Sequence, residues 1–398
     1  MKKMLKIIAP FPLSPDYGSS TRVINEIMSV QSVFPRIKVL SYGIYGSYTK
    51  IIRDQLNLKL ATSLFKMGFS LQHLVSSTTL YLRALLGKDV EYCSGSIIHA
   101  HWPIGGLIGL GLNATKLNDS PVICDLHGLV FEEAMMAKQK ELARLVFLVE
   151  KLVLDKVDFV ITSNELLARE VLKRYQIERQ KMAVVYDAVD VNRFITIPKE
   201  LPLMWRKNHN IPTDALVILY VGTISKLQGI DLMLKFLAET VEVKKNVYFV
   251  IVGGKWSKGY ASLITQIKNY SQNIKKFIRL IPGADYLSEV PIIVNAANIC
   301  ISLKRPSLQS NAKLLIYGAA GKPVITFDTK INRIFLGPYG IYLRWPLQSH
   351  EFFQAIEKAI DCSCDEDYRI GLTNYIKKNH SLERLREQLT HIYESFCV

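Results

Sequence analysis

The chain has 398 residues, of which 49% are hydrophobic and 21% charged, and its formal net charge is +15. At roughly 150 residues per domain this length predicts two or three domains with full hydrophobic cores. The 22 glycines and 15 prolines are an ordinary share for a folded chain and exclude collagen-like and low-complexity sequences. No apolar run reaches the ~18 consecutive residues that a membrane span needs, so we expect a soluble protein.

The beginning of the chain, lysines followed by apolar residues, has two interpretations. Lys6 and Pro10 interrupt the apolar run and no small-residue cleavage site follows, which favours a buried first strand over a signal peptide. The six cysteines contain no Cys-x-x-Cys pair, a pattern typical of buried thiols in a reducing compartment. We therefore expect a cytoplasmic location.

The basic excess is concentrated in residues 251–350, which contain 13 Lys and Arg but 3 Asp and Glu. Such an excess suits a phosphorylated small molecule, an anionic membrane surface or nucleic acid, and a plain solvated basic surface is the alternative. The lysines are scattered, without a recognition helix or an aromatic stacking strip. Nucleic acid is therefore not an expected partner.

Short β-branched runs alternate with helical patterns, as in parallel strands covered by helices on both faces. The predicted strands of the first half are Leu5–Ala9, Lys38–Tyr42, Ile97–His99, Val122–Leu126, Phe159–Thr162 and Met182–Tyr186. Those of the second half are Val217–Val221, Tyr248–Val252, Phe277–Ile281, Ile299–Leu303, Val324–Phe327 and Ile341–Leu343. Three helices are predicted after them, at His350–Cys362, Asp365–Lys378 and Ser381–Phe396.

This order of elements predicts an α/β protein with two doubly wound, Rossmann-like domains facing a central cleft. The proline-containing region 196–212 is the predicted linker between an N-terminal domain, 1–195, and a C-terminal domain, 213–348. Residues 349–398 form the helical tail, whose last helix we expect to pack back on the N-terminal domain. Ligands of such folds bind at the carboxyl ends of the strands.

Two elements of the first half could carry chemistry. A loop with Gly18 and Ser19 follows the first strand and enters a helix, where backbone N–H groups can hold a phosphate or a sugar hydroxyl. His127 follows the strand Val122–Leu126 and can exchange hydrogen bonds with a substrate hydroxyl. A plain turn and a structural histidine are the alternatives. His99 and His101 share one face of a strand, but no third ligand is apparent, so no metal is expected.

The second half contains three polar loops after strands. Thr223, Lys226 and Gln228 can face a diphosphate, and Gly253 lets a base or ribose approach the backbone. Ser310 or Asn311 can cap a short helix whose N–H groups face a phosphate. Lys304, Arg305 and Lys313 add positive charge there.

Together these elements resemble the retaining GT-B glycosyltransferases of family four, the group 1 transferases, over nearly the whole chain. The matching stretches are the loop at Gly18, Asp125–Gly128, Asp187–Phe194, Val221-Gly222, Val252–Gly254 and Ala319–Val324. The resemblance implies transfer of a sugar from a nucleotide diphosphate sugar to an acceptor, without a metal or other cofactor. It implies that His127 is the catalytic-site residue on the transferred sugar and that the donor contacts the residues named in the loops above.

Four positions depart from the family pattern. Thr223 and Gln228 replace an arginine and a lysine that clamp the diphosphate, and Leu308 and Ile316 replace two glutamates. A lost hydrogen bond to a charged group is worth about 1.5–3 kcal/mol. Three hypotheses stay open: an active transferase with an atypical clamp, a non-catalytic homologue that binds a glycan or a partner protein, and another GT-B enzyme such as a nucleotide-sugar epimerase.

The acceptor is not specified by the sequence. The apolar segment Leu56–Leu86 carries interspersed basic residues and suits either core-facing helices, which we favour, or peripheral contact with a membrane that holds a lipid-linked acceptor. Donor base, donor sugar and oligomeric state are equally open.

Overall fold

The computed structural model describes residues 4–15, 18–41, 44–52, 54–57, 96–114, 120–136, 138–244, 246–254 and 258–396. Helices were expected for Leu56–Leu86, but Leu56 and Asn57 end a strand, and residues 58–86 lie outside the described residues. Within the described part, two all-parallel sheets form. The first has the order β3-β2-β1-β4-β5-β6-β7, and the second has the order β10-β9-β8-β11-β12-β13.

The strands of the first sheet are β1 (Met4–Ala9), β2 (Arg36–Ser41), β3 (Asp54–Asn57), β4 (Ile97–His101), β5 (Val122–Leu126), β6 (Phe159–Thr162) and β7 (Met182–Val184). Those of the second are β8 (Leu216–Val221), β9 (Val247–Val252), β10 (Ile278–Ile281), β11 (Ile299–Ser302), β12 (Val324–Phe327) and β13 (Ile341–Leu343). All twelve predicted strands are present, with ends within two residues of the prediction. The edge strand β3 was missed because its four residues carry a single apolar side chain, Leu56.

The helices of the first half are α1 (Gly18–Val30), α2 (Trp102–Ala114), α3 (Val130–Met136), α4 (Lys140–Lys156), α5 (Glu165–Tyr175), α6 (Asn192–Ile195) and α7 (Glu200–Asn208). Those of the second half are α8 (Ile230–Val243), α9 (Lys258–Asn269), α10 (Gln272–Lys275), α11 (Val290–Ala296), α12 (Lys313–Ala319) and α13 (Lys330–Leu336). The tail contains α14 (Ser349–Cys364), α15 (Glu366–His380) and α16 (Leu382–Glu394). Strands β1, β4 and β5 are buried along their whole length, as expected of parallel sheets covered on both faces. The predicted fold class, two doubly wound α/β domains with a helical tail, is confirmed.

The helical tail crosses back to the first sheet. Helix α16 packs against α1, and Tyr393 Oη lies 2.6 Å from Nδ1 of His99 in β4. Upstream, the Val189 N–H donates to the His380 carbonyl at 2.9 Å. Ser381 caps α16 by accepting from the Arg384 N–H. The two ends of the chain are thereby joined around a common core.

Between the two sheets, the centre of the predicted linker 196–212 is the helix α7, where the prolines had favoured irregular structure. Arg206 explains its position, because this buried guanidinium donates to the carbonyls of Ala296, Thr213 and Ala215 at 2.8–3.1 Å. Pro202 lies in the first turn of α7, where a missing N–H costs no helical hydrogen bond. The described helices include none that is long and apolar enough to cross a membrane.

Candidate active site

A cavity of about 440 Å³ lies between the carboxyl ends of the two sheets and is lined from both of them. Loops that follow β1, β5, β8, β9 and β11 contribute to its walls. Nine of the predicted site residues line it: Gly18, Ser19, His127, Thr223, Gln228, Gly253, Lys304, Ser310 and Lys313. The cavity therefore lies at the carboxyl ends of the strands, between the two sheets, as the sequence predicted.

The loop before α1 is held by a local hydrogen-bond pair. Ser20 Oγ donates to the Pro12 carbonyl at 2.9 Å and accepts from the Ser14 N–H at 3.2 Å. A Cβ on Gly18 would meet no heavy atom within 4 Å, so this first helical residue faces open space. The N–H groups of the first turn of α1, which have no partner within the helix, can thus bind an anion or a hydroxyl in the cavity.

His127 is a neutral imidazole at the cavity wall. The pKa of His127 is lowered to about 4, because the effect of burial is larger than the opposite effect of the nearby Asp125 carboxylate. Its Nε2 lies 3.0 Å from Nδ1 of His101, whose pKa burial also lowers. A neutral ring fixed on one nitrogen can exchange a hydrogen bond with a sugar hydroxyl through the other.

Behind the histidines, Arg22 joins three carboxylates. Its guanidinium lies 2.9 Å from Asp125, 3.0 Å from Asp187 and 3.1 Å from Glu26. Burial alone would lower the pKa of Arg22, but the three acids outweigh it and raise the pKa. Ser310, from the C-terminal domain, donates to the other oxygen of Asp187, so this network reaches across the cleft.

Four buried side chains in this region have the chemistry of metal ligands. Glu26, His99, His101 and Asp125 each offer an atom within 4.8 Å of the others. Sequence reasoning had found the two histidines but not the carboxylates, which arrive from α1 and β5 only through folding. Arg22 contacts both carboxylates and so supplies positive charge to the same group. The absence of a metal stays a prediction.

Two lysines, the buried Lys304 and the partly buried Lys313, provide positive charge on the opposite wall. Lys304 Nζ donates to the carbonyls of Gln309 and Ser310 at 2.8 and 2.6 Å. Lys313 Nζ donates to Gln228 Oε1 at 2.6 Å. Burial lowers the pKa of each lysine to about 7, and for Lys304 the nearby charge of Lys313 adds to the effect. An anion between them would restore their charge.

Two glycines let the backbone and Lys313 approach each other. Gly222 has a φ of +146°, and a Cβ there would lie 2.8 Å from Cε of Lys313. A Cβ on Gly253 would lie 2.6 Å from the side chain of Ile224 and 2.9 Å from the Gly222 carbonyl. Lys313 thus passes over Gly222 into the cavity, and a larger side chain at position 222 would collide with it.

The three other predicted site residues do not line the cavity. Arg305 forms an ion pair with Asp231 at 2.8 Å and donates to the Lys226 carbonyl. Asn311 is buried and accepts from Lys313 and Ser302 at 3.2 and 3.1 Å. The expected cap of α12 by Ser310 or Asn311 is wrong, because both side chains are engaged elsewhere and Ala312 precedes the helix.

Gln309 and Glu133 line the cavity and were missed by sequence reasoning. Gln309 Nε2 donates to Glu133 Oε1 at 2.6 Å and thereby links the two domains. Burial raises the pKa of Glu133 to about 7. Leu308 and Ile316 are the two positions at which the family has glutamates. Ile316 lines the cavity, whereas Leu308 packs with the N-terminal core and its carbonyl accepts from Asn164.

Two doubly wound sheets with a cavity between their carboxyl ends define the GT-B class of proteins. Residues 68–193 match the model of glycosyltransferase family 4, and residues 215–361 match that of the glycosyl transferases group 1. The chain therefore belongs to the group 1 glycosyltransferases, as its motifs predicted.

Its relatives are distant. D-inositol 3-phosphate glycosyltransferase of Thermobispora bispora is 27% identical over 214 residues, which are 51% of this chain and 49% of that protein. The protein of the same name from Mycolicibacterium smegmatis is 25% identical over 43% of this chain and 38% of its own length. The chain thus spans about half the length of the curated relatives it matches, or less.

Solved structures match over nearly the full chain. Sucrose-phosphate synthase from Thermosynechococcus elongatus has a TM-score of 0.74, 16% identity and 99% coverage of both chains. Anabaena HepE in complex with UDP-glucose has a TM-score of 0.71 and 13% identity, over 98% of this chain and 99% of that chain. At such identities the likeness establishes the fold.

Proposed function

We propose that this protein transfers a sugar from a nucleotide diphosphate sugar to an acceptor, with retention of the anomeric configuration and without a catalytic metal. The observation that carries the proposal is that Lys304 and Lys313 line the same interdomain cavity as His127. Two cations held in a site of low dielectric are poised for a diphosphate, whose charges interact strongly there. The solved structure of HepE with UDP-glucose supports a donor of this kind.

In this proposal Lys304 and Lys313 do the work of the arginine and lysine with which the family holds the diphosphate. Those two residues are Thr223 and Gln228 in this chain. Gln228 stands where the family has a lysine, and its side-chain oxygen accepts from Lys313 Nζ at 2.6 Å. The positive charge lost at position 228 is thus supplied from α12. Charge that develops on the leaving diphosphate is stabilised by Lys304, Lys313 and the first turn of α1.

His127 and Glu133 act on the sugar side of the cavity. The neutral imidazole of His127 exchanges a hydrogen bond with a hydroxyl of the transferred sugar. Glu133, with a pKa of about 7, can accept a proton from the acceptor hydroxyl near neutral pH. A carboxylate from α3 thereby stands in for the family glutamate that is Leu308 in this chain.

Thermal unfolding with UDP, GDP, ADP, TDP and their common sugar conjugates tests the proposal. A ligand at about 100 times its dissociation constant stabilises the native state by about 2.7 kcal/mol. A shift in Tm with one base identifies the donor class, and product formation with that donor then identifies the acceptor. The four substitutions favour one alternative, a non-catalytic homologue, and the absence of any nucleotide-dependent shift in a cooperatively unfolding protein would favour it.

A further inference from the structure

Helices α3 and α4 expose a set of large apolar side chains that no described element covers. Met135 and Met136 end α3, and they are 46% and 60% exposed. On α4, Leu145, Leu148 and Leu152 are 51–62% exposed and recur at helical spacing, so they form one stripe along the solvent side. We name these five residues the α3–α4 apolar surface. Exposed apolar groups this close together are typical of an interaction site.

Basic side chains lie on or between the same two helices as this surface. Five cations are exposed on or between the two helices, against two exposed acids, which leaves a net charge of +3: Lys138, Lys140, Arg144, Lys151 and Lys156, against Glu141 and Asp155. Arg144 pairs with Glu141 and Lys156 with Asp155. Within the described part of the chain, Lys138, Lys140 and Lys151 form no ion pair. Exposed apolar residues together with exposed lysines are the pattern of helices that lie in a membrane interface.

The charge decides between two occupants of the α3–α4 apolar surface. A second copy of the chain would bring the same net positive charge against it, since a twofold contact is formed by the same patch on both subunits. Like charges across an interface are unfavourable. An anionic bilayer instead offers phosphates to the lysines and a hydrocarbon boundary to the leucines and methionines.

The same helix that carries Met135 and Met136 begins at the candidate active site. Val130 and Glu133 of α3 line the cavity. A seven-residue helix is about 10 Å long, so the surface starts within about that distance of the cavity wall. An acceptor group on a lipid in the bound leaflet would therefore need only a short span to reach Glu133.

We propose that the α3–α4 apolar surface docks this protein on an anionic membrane and that its acceptor is attached to a lipid; the acceptor part of this inference rests on the proposed transferase function. Docking by this face holds the cavity wall at Glu133 within about 10 Å of the bilayer. The surface lies outside the segment Leu56–Leu86, in which the sequence suggested membrane contact.

Sedimentation with vesicles tests the docking. The protein binds phosphatidylglycerol-containing vesicles and not vesicles of phosphatidylcholine alone. The triple variant Leu145→Ser, Leu148→Ser, Leu152→Ser binds at least tenfold more weakly. Replacing Lys140 or Lys151 by glutamine weakens binding about fivefold each at low salt. These side chains are exposed, and an unchanged Tm confirms that each variant folds.

A matched control comes from another exposed apolar pair. Leu203 and Met204 on α7 are 51% and 57% exposed, so Leu203→Ser, Met204→Ser removes two comparably exposed apolar side chains elsewhere and leaves vesicle binding unchanged. Equal binding by the triple variant and this control overturns the inference. So does a dimer in solution that the triple variant abolishes. Nucleotide-dependent thermal shifts, measured without vesicles, test the transferase proposal separately, so failure of the two proposals is distinguishable.

Discussion

Binding of a nucleotide diphosphate sugar should be coupled to proton uptake by Lys304 and Lys313. In the free protein, burial lowers the pKa of both lysines to about 7. A bound diphosphate stabilises the charged ammonium groups and returns each pKa toward its ordinary value of 10.5. The complex therefore holds more protons than the free protein at any pH between these two values.

The size of the effect follows from the two pKa values. At pH 8 a lysine with a pKa of about 7 is about one-tenth protonated, so each takes up about 0.9 proton on binding. Between pH 6 and pH 8 the affinity falls by about tenfold for each lysine, and by about 100-fold for both. The sign is fixed, because a ligand that favours the protonated form binds more weakly as pH rises.

Isothermal titration in two buffers with different ionisation enthalpies measures the uptake directly. Lys313→Met should remove at least about 0.9 proton from the uptake and at least half of the logarithmic pH dependence, because the charge of Lys313 also helps to lower the pKa of Lys304. Lys322 is the matched control, because it is partly buried with a pKa lowered to about 8. It donates to the Asn295 carbonyl and does not line the cavity, so Lys322→Met should leave the uptake unchanged. Affinity independent of pH, with no proton uptake, would refute the assignment of the two lysines to the diphosphate.

Four further predictions concern the cavity walls and the buried cluster of metal-ligand type. Glu133→Gln should reduce kcat more than KM and abolish the acidic limb of the pH–rate profile near pH 7; a profile that keeps this limb would exclude Glu133 as the base. Because the folded pKa of Glu133 is raised above its unfolded value, wild type should lose up to about 3 kcal/mol of stability relative to this variant as pH rises from 4.5 to 7, measurable by urea unfolding. Gly222→Ala places a Cβ 2.8 Å from Cε of Lys313, so nucleotide affinity should fall at least tenfold, whereas Gly18→Ala, where nothing lies within 4 Å, should cost far less. Incubation with a chelator should leave activity and Tm unchanged and elemental analysis should find no stoichiometric metal; a metal at one equivalent that is lost in His99→Asn would instead assign it to the cluster with Glu26.

Much of the fold was readable from the chain because it depends on local pattern. Parallel strands buried on both faces are short apolar runs, so β5, β6, β12 and β13 were located to the residue. The polar edge strand β3 and the helix α7 were missed, since their residues acquire their structure from neighbours: β3 from pairing with β2, and α7 from the carbonyls that Arg206 reaches. The intrinsic preference of a short segment for helix or strand contains no information about partners that are distant in the sequence.

The sequence determined the family, the two sheets and the loops that face each other, since each is encoded in contiguous residues. Only the tertiary structure decided which charged side chains line the cavity. Lys313 reaches Gln228 over Gly222, whereas Arg305, equally basic in sequence, is taken up by Asp231. Glu133 and Gln309 meet across 176 positions, and Arg22 gathers acids that lie 103 and 165 positions away. Burial and partner choice are properties of the folded packing, and the pKa values that govern the chemistry follow from them.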